Sequence, residues 1–483
     1  METKNIQLKN AIWQILAAFL AHSISIQPGI NMAYSTILLP QIMKSDGNIS
    51  SVTESNLTNS TYHKHLIVGK DQASWIASLV TIATPLGSLI IGPLMDRFGR
   101  QKMCAFTMIP LIISWILVAT TTDSVYTIYV ARVLAGIGGG MSTVVLVYVS
   151  EISHPSIRPM LLSLTSVFVS FGILLTTLLS YFLDWKVVAL CCGTIATASL
   201  VSILFLPESP SWLVGMRTTQ KDPGKGLRKA ERNLKWLYKN TKDYRQEFES
   251  LLRIKDEKNA SMNESPLVGK ETVEKWTTLS SPEAWKPILI LFVLFTLQQF
   301  SGAYVVIFYA IQIFEKTGSV EYDKTTSLVI LGFVRFVMAI ISMFLSRRVG
   351  RIPLLTTSGL GMAVVILVAA GYIHFVGQGM IPVACLLLFV LFASYGLTVI
   401  PWTLIGELLP LSIRGKGSGI LVAVAYLYMF LTVKLFIMIL DDIGIAGVFI
   451  GFSVFSVVFV IFVYFAVPET LGRTFEEIES HFK

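Results

Sequence analysis

Asp96-Arg97-Phe98-Gly99-Arg100 is a short charged stretch between two apolar runs, and Arg347-Arg348-Val349-Gly350-Arg351 resembles it, with its glycine 251 residues later. Two further motifs recur in the same order: Glu151-x6-Arg158 as Glu407-x6-Arg414, and Pro207-Glu208-Ser209 as Pro468-Glu469-Thr470. Each motif is weak by itself, but three at nearly one offset indicate an internal duplication. In membrane carriers, such halves can be related by an axis along the membrane normal.

The amino-acid composition points to a lipid environment. Of the 483 residues, 53% are hydrophobic and only 14% are charged, whereas a typical soluble chain has about 25% charged residues. Because a soluble protein must cover its surface with polar groups, this composition excludes a disordered chain and argues against a soluble enzyme. The net charge of +8 does not indicate a nucleic acid partner, because the cytoplasmic loops of membrane proteins are rich in Lys and Arg.

Twelve apolar runs are long enough to cross a bilayer as helices, which need about 20 residues each. Most are too continuous for strands, and backbone exposed to lipid must form its hydrogen bonds internally. The predicted fold class is an all-α membrane protein with twelve transmembrane helices in two pseudo-symmetric six-helix halves. Numbered as spans 1 to 12, the runs are 11–40, 72–95, 103–122, 125–150, 157–183, 186–206, 285–314, 324–346, 352–373, 380–409, 414–440 and 444–467.

The distribution of basic residues predicts that both termini are cytoplasmic. With that orientation, and with Lys and Arg in the first three residues of a span counted with the adjoining loop, 29 of the 38 lie on the inner side, six on the outer side and three deeper within spans, as the positive-inside rule requires. The loop between spans 1 and 2 carries three glycosylation sequons on the predicted outer side, although sequons also occur by chance. Their acceptor residues are Asn48, Asn56 and Asn59. The predicted location is the plasma membrane.

Four segments follow from these spans. Residues 1–206 form the predicted N-terminal half and residues 285–467 the C-terminal half, while residues 468–483 form a cytoplasmic tail. Residues 207–284 form a cytoplasmic linker in which apolar residues recur at helical spacing, which predicts short amphipathic helices under the bundle. The linker contains no nucleophile–base set and no metal-ligand cluster, so a separate catalytic domain is not expected.

Seven charged residues at the inner ends of the spans are predicted to form a cytoplasmic gate: Asp96, Arg100, Glu151, Arg158, Arg351, Glu407 and Arg414. The expectation is that Arg and Glu pair across the two halves when the inner side is shut and separate when it opens. The alternative is that basic residues only fix the orientation of the inner loops. That alternative does not account for Glu151 and Glu407, because acidic residues contribute little to the positive-inside bias.

Glycines cluster in span 4, where Gly136 and Gly140 have the spacing that lets two helix backbones approach closely. A phosphate-binding loop is the other use of such glycines, but it requires a preceding strand and none is predicted here. The cluster is therefore interpreted as a helix-packing surface.

Seven motifs along the chain are typical of one family of membrane carriers. They are Asp96-Arg-Phe-Gly-Arg100, Tyr148-Val-Ser-Glu-Ile152, Pro207-Glu-Ser-Pro-Ser-Trp-Leu213, Gln298-Gln-Phe-Ser-Gly302, Ile400-Pro-Trp402, Gly406-Glu-Leu408 and Pro468-Glu-Thr-Leu-Gly-Arg-Thr-Phe475. On these motifs the chain resembles, over nearly its whole length, the sugar porter family of the major facilitator superfamily, and within it the insect facilitated trehalose transporter branch. The resemblance implies a sugar site between the halves, lined mainly by spans 5, 7, 8, 10 and 11.

Three residues match sugar-binding positions of that family. Gln298 and Gln299 match its glutamine pair, and Trp402 matches its span-10 tryptophan. Amides can bond sugar hydroxyls, and an aromatic face suits the C–H surface of a sugar. The alternatives are an interhelical hydrogen bond for either Gln and an interfacial anchor for the Trp.

Other pocket positions depart from the family pattern, and they remain predicted substrate contacts. Span 10 has Leu397-Thr398-Val399 in place of a Gly-Pro-rich turn, so a bend there is in doubt. Three side chains replace the family's usual residue: Tyr304 stands in place of Asn, Ser166 in place of Gln and Tyr426 in place of Trp. Where the family has two consecutive tyrosines, Phe308 replaces the first and Tyr309 keeps the second.

Arg335 is the sharpest departure, because it aligns with a sugar-binding Asn of the family in span 8. Burying an Arg in a membrane span costs free energy, so such a residue is first interpreted as having a role in function. It could donate to substrate oxygens, including those of a charged substrate. It could equally form a structural pair with a Glu or a helix-end carbonyl.

The predicted function is facilitative uniport of a sugar, trehalose or a hexose, by alternating access in a monomer, with no enzymatic activity, cofactor or metal. Span 1 has no Asp or Glu where the family's proton symporters carry an Asp, which favours uniport over proton coupling. His22 is expected to be packed rather than to relay protons. Two alternatives stay open: a proton-coupled or organic-ion carrier, and a sugar sensor that binds without transporting.

Overall fold

The regular elements of the protein are helices, most of them long and apolar. The computed structural model describes residues 11–42, 68–122, 124–215, 223–238, 244–245, 247–253, 282–309, 313, 317, 324–377, 379–410, 413–473 and 475–482. Within these residues, eleven helices are long and apolar enough to cross a membrane. The predicted span 7 is a shorter apolar helix, Ala284–Phe300 by the same measure.

The first six spans follow the predicted order and bounds closely. Span 1 is built of two helices joined by a 3-10 turn at Ser23–Ser25, and span 4 of two helices joined at residues 142–143. The helices are Ile12–His22 and Ile26–Ile42 for span 1, Lys70–Phe98 for span 2, Arg100–Thr120 for span 3, Val125–Met141 and Val144–Ile152 for span 4, Arg158–Phe182 for span 5, and Trp185–Leu204 for span 6.

The last six spans repeat this arrangement. The helices of spans 11 and 12 follow each other directly within Arg414–Ala466 and are separated at Gly444, where φ is +70° and ψ is 172°, which is not a helical conformation. The other helices are Pro282–Phe300 and Ala303–Phe308 for span 7, Lys324–Leu345 for span 8, Arg351–Phe375 for span 9, and Met380–Tyr395 and Ile400–Leu408 for span 10.

Helix breaks occur at equivalent places in the two halves. Spans 1 and 4 are interrupted in the first half, and spans 7 and 10 in the second. Breaks at membrane depth are tolerated where the freed backbone groups face protein or a cavity, and broken helices often mark the binding site of a transporter. The break in span 10, at residues 396–399, resolves the doubt about bending there: the helix is interrupted even without a Gly-Pro-rich turn.

Two hydrophobic cores lie side by side. One is built from residues between 11 and 238 and the other from residues between 284 and 482. The linker helix Pro223–Leu237 belongs to the first core, since Leu234 and Leu237 are buried in it and the ring of Trp236 lies 5.3 Å from that of Trp13. This helix therefore packs against the first half.

The glycines of span 4 allow close contact with span 2, as their spacing predicted. A Cβ atom added at Gly140 would lie 2.0 Å from the carbonyl oxygen of Thr84, and one at Gly136 would lie 2.4 Å from that of Val80. Since no side chain fits there, the backbones of the two helices touch directly.

Candidate functional site

A central cavity lies between the two halves. Most of its wall comes from the N-terminal half, and the C-terminal half adds Phe308 of span 7 and Tyr426 of span 11. The N-terminal contributors are Pro28, Asn31, Met32 and Ser35 of span 1, Val80, Thr81 and Thr84 of span 2, and Ala135 and Gly139 of span 4. Of the eight side chains predicted to bind substrate, Tyr426 is the one in this wall.

Asn31 was not predicted, yet it is the most polar side chain of the cavity wall. It is 3% exposed, and neither its amide oxygen nor its amide nitrogen has a hydrogen-bond partner. A buried amide without partners is costly and calls for a ligand or an unseen water. The signal in the sequence was a single Asn inside an apolar span.

Gln298 and Gln299 are both fully buried, but they differ in their bonding. Nε2 of Gln298 donates to the carbonyl oxygen of Leu397, 2.6 Å away, inside the break of span 10. Gln299 has no partner for either amide atom, and Oε1 of Gln298 has none either. Gln298 therefore holds spans 7 and 10 together, whereas Gln299 keeps its full capacity to bond a ligand.

An aromatic group connects the cavity wall to span 7. Nε1 of Trp402 donates to the hydroxyl oxygen of Tyr304 over 3.0 Å, and the Trp402 ring lies 5.8 Å from that of Tyr426 and 4.9 Å from that of Phe295. The indole N–H is thus used inside the bundle, so Trp402 is not an interfacial anchor. Its ring contacts that of Tyr426, which lines the cavity.

Two predicted contacts lie away from this group. The hydroxyl of Tyr309 donates to the carbonyl oxygen of Val433 over 3.1 Å, and its ring stacks on Phe436 at 4.9 Å. This bonding ties span 7 to span 11, which is a structural role. Ser166 is half-buried on span 5 and is not part of the cavity wall.

Arg335 lies against Tyr304, with its guanidinium carbon 5.8 Å from the centre of that ring. It is 5% exposed, and its Nε and Nη1 atoms have no hydrogen-bond partner among the described residues. Neither of the structural contacts considered as the alternative, an ion pair with a Glu or a bond to a helix-end carbonyl, is present in the described part of the chain.

A charged cluster closes one end of the N-terminal half. Nη2 of Arg100 lies 2.9 Å from Oε1 of Glu151, and Nη1 lies 3.4 Å from Oδ1 of Asp96. Oε1 of Glu208 accepts from the backbone N–H groups of Arg100 and Gln101, at 2.8 and 3.0 Å. A carboxylate at the first N–H groups of a helix is favoured by the helix dipole.

The C-terminal half contains the same cluster. Nη2 of Arg351 lies 2.7 Å from Oε1 of Glu407. Glu469 accepts from the backbone N–H groups of Arg351 and Ile352, at 2.9 and 3.3 Å. The hydroxyl of Thr470 donates to Glu407, as that of Ser209 does to Glu151 in the first half. We call the end of the bundle that carries both clusters the charged end.

Glu208 and Glu469 complete these clusters and were missed as gate residues. The third repeated motif contained both, so the signal was in the sequence. A Cβ atom at Gly99 would lie 2.4 Å from Oε2 of Glu208, and one at Gly350 would lie 2.2 Å from Oε2 of Glu469. The repeated glycines are therefore the places where a carboxylate approaches the backbone.

The expected pairing across the halves does not occur in either cluster. Arg100 begins span 3 and Glu151 ends span 4 of the same half, and Arg351 and Glu407 are related in the same way. Arg158 is different, because it interacts electrostatically with Glu407 of the other half and with Glu247 of the linker.

Glu247 is the linker residue that interacts with Arg158. Burial raises the pKa of its carboxyl group, and the charge of Arg158 opposes that shift. The side chain of Arg414, the remaining predicted gate residue, lies outside the described residues, as do the three sequons at Asn48, Asn56 and Asn59.

The two halves touch at the charged end. The hydroxyl groups of Ser163 in span 5 and Ser346 in span 8 are 3.1 Å apart. A Cβ atom at Gly419 of span 11 would lie 2.5 Å from the carbonyl oxygen of Ser88 in span 2. The cavity is therefore covered by helix contacts on that side.

Comparison with known proteins places these features in one family. A family model described as "Sugar (and other) transporter" matches residues 18–482. The facilitated trehalose transporter Tret1 of Bombyx mori is 30% identical over 485 residues, which cover 99% of this chain and 88% of that protein. Tret1 of Drosophila grimshawi is also 30% identical, over 97% of this chain, but the match covers only 48% of it. The chain thus spans about half the length of the fly relative.

A solved structure shows the same fold. The proton:xylose symporter XylE of the major facilitator superfamily, bound to 6-bromo-6-deoxy-D-glucose, superposes with a TM-score of 0.78 at 21% identity, covering 98% of this chain and all of that one. The predicted fold class is therefore confirmed: twelve helices in two halves, with span 7 as the helix that falls short of a full crossing in the described residues.

Proposed function

Because the chain belongs to the sugar porter family of the major facilitator superfamily, we propose that it carries a sugar across a membrane by alternating access. The observation that supports this most strongly is the central cavity, whose wall comes from both halves and contains the unpartnered amide of Asn31. A site at the junction of two halves can face either side of the membrane as the halves rock.

The proposed substrate is trehalose or a hexose, bound in the cavity against Tyr426 and the aromatic residues that contact it. Asn31 and Gln299 provide free donors and acceptors for hydroxyl groups, and Tyr426 with Trp402 provides an apolar face. Both features suit a sugar, which presents hydroxyl groups around its edge and C–H groups on its faces. The relatives named for trehalose transport support this substrate class.

The proposed cycle is uniport. The cavity wall as described contains no Asp or Glu, and proton coupling normally requires a titratable acid in the path. Nε2 of His22 bonds the carbonyl oxygen of Leu161 at 2.9 Å and Nδ1 contacts the hydroxyl of Thr165 at 3.3 Å. Both ring nitrogens are thus used inside the N-terminal half, which leaves His22 a packing role.

The charged end is proposed to be the cytoplasmic gate. Each cluster holds the helix ends of its own half as one rigid unit, since buried Arg–Glu pairs bonded on both sides resist separation. Arg158 links the halves through its interaction with Glu407, and Ser163 meets Ser346 beside it. Opening then breaks these contacts between the halves and leaves both clusters intact.

The protein is a multi-pass membrane protein, and the finer details of its setting are proposals. The excess of Lys and Arg at the charged end supports cytoplasmic termini. We propose a monomer in the plasma membrane that is glycosylated in the loop between spans 1 and 2. The linker 207–284 is proposed to hold the charged end together, supported by the packing of Trp236 on Trp13.

Counterflow in proteoliposomes tests this function. Vesicles loaded with unlabelled glucose or trehalose should take up labelled sugar transiently, with no requirement for a pH gradient. A sensor that only binds sugar would show no counterflow. Uphill uptake driven by an acid-outside pH jump would contradict uniport and favour proton coupling.

A further inference from the structure

Arg335 is a buried cation without a counter-ion. It interacts electrostatically with Tyr304 and shares a side-chain hydrogen bond with it, and no Asp or Glu in the described part of the chain forms an ion pair with it. Its Nε and Nη1 donors are unused. A buried charge left unpaired is strongly destabilising, so a partner is expected when the protein works.

Arg132 of span 4 shows how the same bundle satisfies an arginine that has a structural role. Its Nε donates to the carbonyl oxygen of Ile76 over 3.2 Å, and Nη2 donates to the hydroxyl of Ser35. Its guanidinium also lies 5.7 Å from the ring centre of Tyr34. Arg335 has the comparable aromatic contact with Tyr304 and a side-chain hydrogen bond with its hydroxyl, but its Nε and Nη1 atoms have no partner.

The position of Arg335 connects it to the proposed substrate path. Tyr304 bonds Trp402, and the Trp402 ring contacts that of Tyr426 in the cavity wall. The ring of the next residue in the chain, Phe336, lies 5.7 Å from that of Phe171 in the other half. The guanidinium is therefore on span 8 at the junction of the halves, beside the aromatic group and not on the lipid face.

The free donors define the ligand chemistry. A guanidinium with unused Nε and Nη1 atoms matches a planar carboxylate, which can accept two parallel hydrogen bonds. One cation balances one negative charge, whereas a phosphate monoester carries up to two at neutral pH. Gln299, whose amide is also free, can bond hydroxyl groups of the same molecule.

We propose that the preferred substrate is an acidic sugar, a hexose ring bearing one carboxylate, which Arg335 binds as its counter-ion. This inference rests on the proposed transport function, and within it an acidic sugar takes the place of the neutral sugar as the preferred substrate. Because the carrier moves without protons, each turnover with such a substrate carries one negative charge across the membrane.

The test is counterflow of labelled D-glucuronate, D-glucose and trehalose in proteoliposomes that contain the full chain. In the wild-type protein, D-glucuronate should be carried in preference, should compete with glucose, and should enter faster when a potassium diffusion potential makes the interior positive. Arg335→Gln should reduce D-glucuronate transport by about 30-fold or more, the loss expected when one partner of a buried charged pair is removed. The readout is the ratio of D-glucuronate to D-glucose transport in the same vesicles, which should fall in this variant; an unchanged ratio would overturn the inference.

Lys434→Gln is the matched control, since it removes an exposed cation of the same half that lies 6.0 Å from the ring centre of Trp75; it should keep the preference for D-glucuronate. If glucose or trehalose shows counterflow but D-glucuronate is neither transported nor competes with them, this inference is overturned and the proposed function stands. A preference for glucose 6-phosphate would overturn it as well. No counterflow of any sugar would overturn both.

Discussion

At the scale of single residues, the contrast between Gln298 and Gln299 is the clearest guide to function. The two are adjacent and fully buried, yet one is bonded within the bundle and the other is not. An unpartnered buried amide costs about 1–3 kcal/mol. A site retains such a group at a cost in stability when a ligand supplies the missing partner.

Gln299→Leu should therefore keep or raise the thermal stability of the protein while it weakens sugar binding, with a half-saturation concentration for counterflow about tenfold higher. Gln298→Leu is the matched change, and it should lower stability because it removes the bond to Leu397. Fluorescence-monitored melting and sugar counterflow measure the two effects. An unchanged half-saturation concentration in Gln299→Leu would show that this amide does not bind substrate.

At the scale of elements, each copy of the repeated Gly-Arg motif begins a helix whose first backbone N–H groups bind a carboxylate. Glu469 approaches the backbone at Gly350, bonds the first N–H groups of span 9, and connects the tail to the bundle. Glu208 does the same for span 3. The repeated sequence motif thus corresponds to a repeated set of hydrogen bonds and ion pairs, which joins three segments of each half at the charged end.

Gly350→Ala should displace Glu469, because the new Cβ atom would lie 2.2 Å from its Oε2 atom. The backbone at Gly350 has φ of −60°, so the cost comes from the lost hydrogen bonds and should be about 1–3 kcal/mol of unfolding free energy. Gly451→Ala is the control, since no atom lies within 4 Å of the added Cβ. Equal melting temperatures for the two variants would contradict this account.

At the scale of the whole molecule, the two halves meet along two pairs of packed helices. Span 5 packs on span 8 and span 2 on span 11, so each interface pairs one helix from each half. Contacts at the charged end include the backbone approach of Gly419 to Ser88. Rocking of the halves must break this contact between Gly419 and Ser88. A substitution there can therefore weaken the closure of the charged end.

Gly419→Ala should hold the halves apart at the charged end, since the added Cβ would lie 2.5 Å from a backbone oxygen. In a Ser163→Cys background, labelling of the new cysteine should become faster, because Ser163 is buried against Ser346 in the closed arrangement. Gly417→Ala is the neighbouring control, whose added Cβ would meet only Leu409 of its own half at 3.5 Å. Equal labelling rates in the two variants would argue against closure at this contact.

The sequence by itself determined the number of spans, the duplication and the residues of the charged end. Hydropathy is a local property, since a bilayer-crossing helix must be apolar over its whole length, and short motifs such as Gly99-Arg100 and Gly350-Arg351 repeat recognisably. The same reasoning predicted the close contact at Gly136 and Gly140, because the spacing of small residues fixes which helix face can approach another.

Only the tertiary structure decided which groups meet. It paired Arg100 and Arg351 with acids of their own halves and turned Tyr309 toward span 11. It left the amide of Gln299 and the Nε and Nη1 atoms of Arg335 without hydrogen-bond partners. It also placed Asn31 in the cavity wall. These outcomes depend on how helices rotate and tilt against each other, and packing across the whole bundle sets those angles. A residue's type and position in the chain do not contain that information.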